Sequence, residues 1–168
     1  MRRTGFLMII VGWLLLTGLI WWVLDAQLER QANPNAGLAA VTGPRQEVIL
    51  KRGSDGQYRA PGRINGHTVN FLVDTGATQV AVPKTLASAI GLHPGEAFQA
   101  QTANGPTHAW TTRLDSVSLG GLNSHDVAGT IIAKDVADAG DEEALLGMSF
   151  LSRFDIRIRD GEMRLRER

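Results

Sequence analysis

The rhythm of apolar and polar positions divides this chain into stretches of different character. Residues 5–24 (GFLMIIVGWLLLTGLIWWVL) hold no charged side chain and present no polar face. A helix of that length crosses a hydrocarbon core, and one without a polar stripe is not built to lie on a water-facing surface. Residues 25–45 lose periodicity and collect Pro34, Gly37, Gly43 and Pro44. They read as a flexible tether, which as a coil of about 20 residues spans on the order of 25 Å.

From Gln46 onward the alternation is that of strands. Residues 47–50 and 58–60 are short strand candidates, and Asn65-Gly66 is a type I′ hairpin signal between residues 63–64 and 67–73. Residues 83–92 (PKTLASAIGL) predict a short helix with Pro83 in its first turn and Gly91 near its C-cap. Residues 97–114 predict a second hairpin with Asn104-Gly105 at its tip. Residues 116–119, a Gly120-Gly121 turn and residues 127–133 continue the pattern. Within 142–154 a second short helix is expected after Gly147, and residues 154–158 alternate before turning at Asp160-Gly161 into 163–165. Short strands, Gly-rich turns and two short helices predict a mostly β domain, a closed barrel or sandwich.

Charge fixes an orientation for the first stretch. Arg2 and Arg3 precede it and Asp25, Glu29 and Arg30 follow it, so the positive-inside bias puts the N-terminus in the cytoplasm. Trp21 and Trp22 stand at the far edge, where amphipathic rings anchor. A cleavable signal peptide needs a shorter apolar run and a small-x-small site close behind it. Val23-Leu24-Asp25-Ala26 offers none. The expected segmentation is a cytoplasmic N-terminus at 1–4, a transmembrane anchor at 5–24, a linker at 25–45 and a folded domain at 46–168.

Composition narrows the chemistry. Seventeen basic and seventeen acidic residues balance, so no field favours nucleic acid. With no cysteine there is no disulfide and no thiolate nucleophile or metal ligand. His67, His93, His108 and His125 are scattered, without metal-binding spacing, and no metal or cofactor is expected. Ser149, in Gly147-Met148-Ser149-Phe150-Leu151, begins like a nucleophile elbow but lacks the closing glycine. Trp110 fits a hairpin-base core position better than a pocket wall. Arg157, Arg159, Arg164, Arg166 and Arg168 alternate along the last hairpin as a solvated face, with a lipid-headgroup contact as the alternative.

One tripeptide carries chemistry. Asp74-Thr75-Gly76 follows the apolar run Phe71-Leu72-Val73, which places a carboxylate at the end of a buried strand. Such a charge is costly to keep unless partners or chemistry compensate. The structural alternative is an Asx-turn, in which the aspartate bonds its own backbone and ends the strand.

The segment Phe71-Leu72-Val73-Asp74-Thr75-Gly76-Ala77-Thr78 resembles the active-site segment of the retropepsin-like aspartic proteases of the pepsin clan. Ala144-Leu145-Leu146-Gly147 matches the segment that backs the active-site loop in that clan. Thr102-Ala103-Asn104-Gly105 stands where the family has its flap hairpin. The resemblance covers about residues 46–166 in order and is nearest to the membrane-anchored bacterial members. It implies a single-lobe acid-protease fold, with Asp74 catalytic and Thr75, Gly76, Ala77 and Thr78 completing its loop. Leu145, Leu146 and Gly147 would support that loop. It also implies a bacterial inner-membrane protein with its protease domain in the periplasm.

In that chemistry two carboxylates share a proton and activate a water, and the resemblance gives Thr75 a hydroxyl network linking the two loops. The motif occurs once, and so small a domain lacks room for two lobes, so the implied enzyme is a homodimer acting on polypeptide. The retroviral members carry an Asp and an Arg where this chain has Thr78 and Met148, which puts their dimer geometry in doubt here. The competing reading is a non-catalytic peptide-binding or scaffold module on the same fold.

Overall fold

Asn65 and Gly66 both adopt positive φ (49° and 84°), the backbone that a two-residue type I′ turn requires. They join β2 (Tyr58–Ile64) to β3 (His67–Val73) in the register Ile64↔His67. The same device closes the chain. Asp160 (51°) and Gly161 (78°) link β9 (Phe154–Arg159) to β10 (Glu162–Glu167). The computed structural model describes residues 2–40, 47–102, 105–133 and 143–168. The chain divides into two compact units, Met1–Ala32 and Asn33–Arg168.

The second unit is mostly β. Its larger sheet runs β2-β3-β8-β4-β7-β6-β5, and a further pairing of β2 with β6 joins strands that would otherwise lie far apart, closing the sheet on itself. The remaining members are β4 (Val80–Pro83), β5 (Ala97–Thr102), β6 (Gly105–Leu119), β7 (Leu122–Ile132) and β8 (Glu143–Leu146). A separate three-stranded sheet has the order β1-β10-β9, with β1 at Glu47–Lys51. In it Val48, Leu50, Met163 and Leu165 alternate inward onto the core. The hairpin arginines Arg157, Arg159, Arg164, Arg166 and Arg168 are exposed, as a solvated face requires.

Strand β3 explains why the apolar run before Asp74 is continuous rather than alternating. It lies between β2 and β8, and Phe71, Leu72 and Val73 are all buried. Its pairing with β8 is parallel, Asn70↔Glu143 through Val73↔Leu146, and β4 pairs β7 in parallel as well. Strands enclosed in this way lose the period of two. Phe71, Leu114, Leu146 and Phe150 anchor the core, and Phe150 meets Phe154 with ring centroids 4.9 Å apart.

The helices are short. Helix α2 is Lys84–Ala89, with Pro83 as its N-cap and Gly91 at φ 71° closing it. Helix α3 is Met148–Leu151 and follows Gly147 as expected, while residues 143–146 ahead of it form a strand. Residues 105–119 are one unbroken strand; the sequence pattern divided them at the charged, exposed Asp115.

The tether differs from expectation. Residues 25–32 continue helix α1 (Arg2–Ala32), and Ala36–Ala40 form a 3-10 turn. Asn35 is buried: its Nδ2 donates to the carbonyls of Lys51 and Arg59, each at 2.8 Å, and its Oδ1 accepts from Lys51 N at 2.7 Å. The folded unit therefore begins at Asn33 rather than at 46. A polar residue between a proline and a glycine looked like linker because its partners come from strands later in the chain. Among the described residues no helix is long and apolar enough to cross a membrane. The described side chains of α1 begin at Val11, within the apolar run of the sequence.

Candidate active site

Asp74 leaves the end of β3 and its backbone N–H donates to Leu146 O, at the end of β8, at 3.2 Å. Its Oδ1 accepts from Gly76 N at 2.8 Å, and its carbonyl accepts from Ala77 N at 3.3 Å. The Asx-turn and the candidate site are thus one object: the turn aims the carboxylate and, among the described residues, leaves Oδ2 without a hydrogen bond. Asp74 is half-buried, while Thr75, Gly76 and Thr78 are exposed. Among the described residues the Thr75 hydroxyl has no hydrogen bond within the chain, so the network that resemblance gives it would need groups from outside this chain.

The loop is gripped from behind. A Cβ on Gly147 would lie 2.2 Å from Gln79 O and 2.7 Å from Ala77 O, closer than any side chain tolerates. That approach lets Met148 N donate to Ala77 O at 2.8 Å and Ser149 N donate to Thr78 O at 3.0 Å. Ser149 Oγ donates to Ala128 O at 2.7 Å and accepts from Val80 N at 3.0 Å, tying α3 to β7 and β4. Its hydroxyl is spent on the scaffold, which accounts for a serine that resembled half a nucleophile elbow. No local spacing reveals this role, since Val80 lies 69 residues away in sequence.

Residues 143–146 supply the other support. Leu146 is fully buried, and Leu145 pairs with Leu72 and with Ala81. At the head of the same strand, buried Glu143 meets Arg59 Nε at 3.0 Å. Burial pushes the Glu143 carboxyl up, and the attraction of Arg59 only partly opposes this. Arg59 also pairs with Asp55 and donates to Gln57 Oε1 at 3.0 Å. This bracket fixes the turn ahead of β2. Sequence reasoning passed over it because the partners are 84 residues apart.

Asp74 opens into a cleft of about 980 Å³. One wall is the turn at Gly56 and Gln57, and the opposite wall is β5 with Phe98 and Gln101. Strands β5 and β6 form the expected hairpin, with Thr102↔Gly105 as its last pair. Thr102 Oγ1 donates to Gly105 O at 2.7 Å, and Gly105 takes φ 97°. Ala103 and Asn104, the other two flap positions, lie outside the described residues. Gln79 and Thr130 meet on the cleft floor, where Thr130 Oγ1 donates to Gln79 Oε1 at 2.7 Å. Trp110 is absent from this lining. It packs against the core with Lys84 Nζ 5.3 Å from its ring centroid, the hairpin-base role expected of it.

The family model described as gag-polyprotein putative aspartyl protease matches residues 60–153. A crystal structure of a retropepsin-like aspartic protease from Rickettsia conorii aligns at 30% identity with a TM-score of 0.58, covering 72% of this chain and 89% of that one. A Sinorhizobium sp. protein from the cobV 5′ region is 34% identical over 126 residues, 73% of this chain and 52% of its own length. An uncharacterized protein of Rickettsia prowazekii (strain Madrid E) is 30% identical over 115 residues, covering 64% of this chain and 46% of its own length. The chain therefore spans about half the length of these two curated relatives. With the Asp74 loop, its Leu145-Leu146-Gly147 support and the closed β fold agreeing, the chain belongs to the retropepsin-like aspartic proteases, a family of aspartic-type endopeptidases.

Proposed function

We propose that this chain is one subunit of a membrane-anchored aspartic endopeptidase, with Asp74 from each of two copies forming the dyad on a two-fold axis. The observation that carries this reading is the single Asp74 loop, aimed into a cleft that holds no second carboxylate among its described lining residues. Peptide hydrolysis by this route needs two. Like charges in contact cannot both ionise, so the pair holds one proton between them. The ionised member takes a proton from the bound water as that water attacks the scissile carbonyl carbon. The protonated member hydrogen-bonds the carbonyl oxygen, and a proton then passes to the leaving amine as the C–N bond breaks.

Around that centre Thr75 would meet its counterpart across the axis. Gly76, Ala77 and Thr78 would run beside the substrate backbone, with Leu145, Leu146 and Gly147 behind them. Residues 102–105 would close over the substrate as the flap. The anchor rests on the uncharged run 5–24 and on the helical course of α1, in which Leu14, Leu15, Trp21 and Trp22 are exposed. With Arg2 and Arg3 held in the cytoplasm, the domain would face the periplasm of a bacterial inner membrane.

The test is cleavage of a peptide library by the full chain and by Asp74→Asn. Cleavage should vanish in the variant, and mixing the two proteins with subunit exchange should lower activity as the square of the native fraction. Full cleavage by Asp74→Asn would overturn the dyad. A linear mixing curve would overturn the shared site, and intact peptides with the native chain would leave a binding module. For the anchor, the native chain should stay in the membrane pellet after alkaline carbonate washing and a chain lacking residues 2–24 should not. Equal release of both would remove it.

A further inference from the structure

The cleft wall at Gly56 and Gln57 is a turn whose two stems belong to different sheets. It leaves β1 at Lys51 and enters β2 at Tyr58, yet β1 pairs with β10 while β2 pairs with β3 and β6. A hairpin turn is ordinarily held by the ladder between its own strands. Among the described residues no ladder joins these two stems. Within itself the turn is closed: Gly53 N donates to Gln57 O at 2.8 Å, Gly56 N to Gly53 O at 3.0 Å, and Arg52 Nε to Gly56 O. Such a turn keeps its shape, and its place depends on what fixes its base.

Asn35 fixes that base. Its amide stands in for the missing rungs, since both Nδ2 hydrogens go to the Lys51 and Arg59 carbonyls and Oδ1 takes the Lys51 N–H. The Lys51 donor needs an acceptor, so these partners also decide which way the amide is turned. The arm that presents Asn35 is seated in turn. Asn35 N donates to Asn33 Oδ1 at 3.1 Å, Leu38 N donates to Asn35 O at 2.9 Å, and Leu38 packs on the core beside Gly120. The base has two further ties, Arg52 N to Gly161 O at 2.9 Å and the pair of Arg59 with Glu143.

We propose that Asn35 is a positioning residue for peptide binding: the arm at residues 33–40, from outside both stems, sets the place of the wall at Gly56 and Gln57. The proposal rests on the peptidase reading above and adds to it a control on substrate affinity. A peptide in the cleft meets this wall in the ground state and the transition state alike. Losing the wall's place therefore weakens binding and leaves the chemical step unchanged. The arm begins directly after α1 ends at Ala32, so whatever unseats it reaches the cleft without touching Asp74.

The experiment measures cleavage of one peptide by the full chain, by Asn35→Ala and by Val127→Ala. Val127 is fully buried and lies outside the cleft lining, so it controls for lost stability. In Asn35→Ala KM should rise about tenfold, as when the wall is in place about a tenth of the time, with kcat within about threefold. In the control both should stay within about twofold of native. An unchanged KM in folded Asn35→Ala, or an equal rise in the control, would overturn the proposal. Coupling is reciprocal, so bound peptide must also steady the clasp. In full-length Asp74→Asn, exchange of the Lys51 N–H that Asn35 Oδ1 accepts should slow about threefold or more when peptide binds. That measurement leaves Asn35 untouched, and unchanged exchange would also overturn the proposal. Adding Asn35→Ala to Asp74→Asn, with peptide binding read by fluorescence anisotropy, separates the two readings. Weakened binding with no cleavage by the native chain would overturn the peptidase and keep the clasp. Native cleavage with KM and affinity indifferent to Asn35 would do the reverse.

Discussion

Two carboxylates mark the ends of the parallel pair β3 and β8, and the chain treats them in opposite ways. Glu143 heads β8, is buried and meets Arg59. Asp74 follows β3, is half-exposed, and is held by a backbone N–H with no ion pair among the described residues. A buried carboxylate with a guanidinium partner serves the fold, and removing Arg59 leaves Glu143 desolvated without its counter-charge. A carboxylate oriented by backbone and open to a cleft is available for chemistry. Which role each plays is decided by its partner, and both lie within one strand pair.

That contrast can be broken by experiment. The largest effect should come from Asp74→Asn. It removes the base and should cost about 10³-fold or more in kcat/KM, at the scale of general acid–base catalysis, while the melting temperature stays within about 2 °C. A large drop in melting temperature would make Asp74 a structural residue after all. Gly147→Ala, which drives a Cβ to 2.2 Å from Gln79 O, should cost about 3 kcal/mol at the upper end of overpacking. Chemical denaturation would show it, and a neutral result would mean the Asp74 loop yields easily.

Arg59→Met should cost about 3 kcal/mol, near the lower limit for breaking a buried pair because the side chain is partly solvated. The fraction that stays folded should still cleave peptide. Complete loss of cleavage in folded protein would move the Arg59 bracket into the site. Asn35→Ala sits on the same side of the comparison, since Asn35 bonds the Arg59 carbonyl. It should cost about 1–3 kcal/mol through the backbone groups it leaves unpaired.

The smallest effect is one of pH. Burial raises Glu143 above the ordinary glutamate range, so the folded chain holds that proton more tightly than the unfolded chain does. Its stabilising contribution is complete below the ordinary value and is lost as pH rises through the folded value. Glu143→Gln does not titrate there, so urea midpoints of variant minus native should move in the variant's favour from about pH 4 to 7. A difference that stays flat would show that Arg59 fully offsets the burial.

Much of this molecule was legible in local sequence. Asn65-Gly66 and Asp160-Gly161 announced their turns because positive φ is a property of one or two residues, readable without knowing the partner strands. Asp74-Thr75-Gly76 after a buried strand, followed in order by a hairpin and Leu145-Leu146-Gly147, pointed to the family before any geometry. What stayed hidden was every role set by distant partners. Asn35 looked like linker, Ser149 like a defective elbow, and the pairing of Arg59 with Glu143 left no mark in the local pattern.

The sequence by itself determined the periodicities, the turns and the lone aspartate motif on which the proposed second copy rests. Only the tertiary structure decided that the folded unit starts at Asn33, that Ser149 is a latch, and that Asp74 opens into a cleft walled by the turn at Gly56 and by β5. The physical reason is range. Backbone preference acts within a few residues, whereas burial, counter-charge and cleft chemistry are set by strands that meet only after the sheet closes on itself.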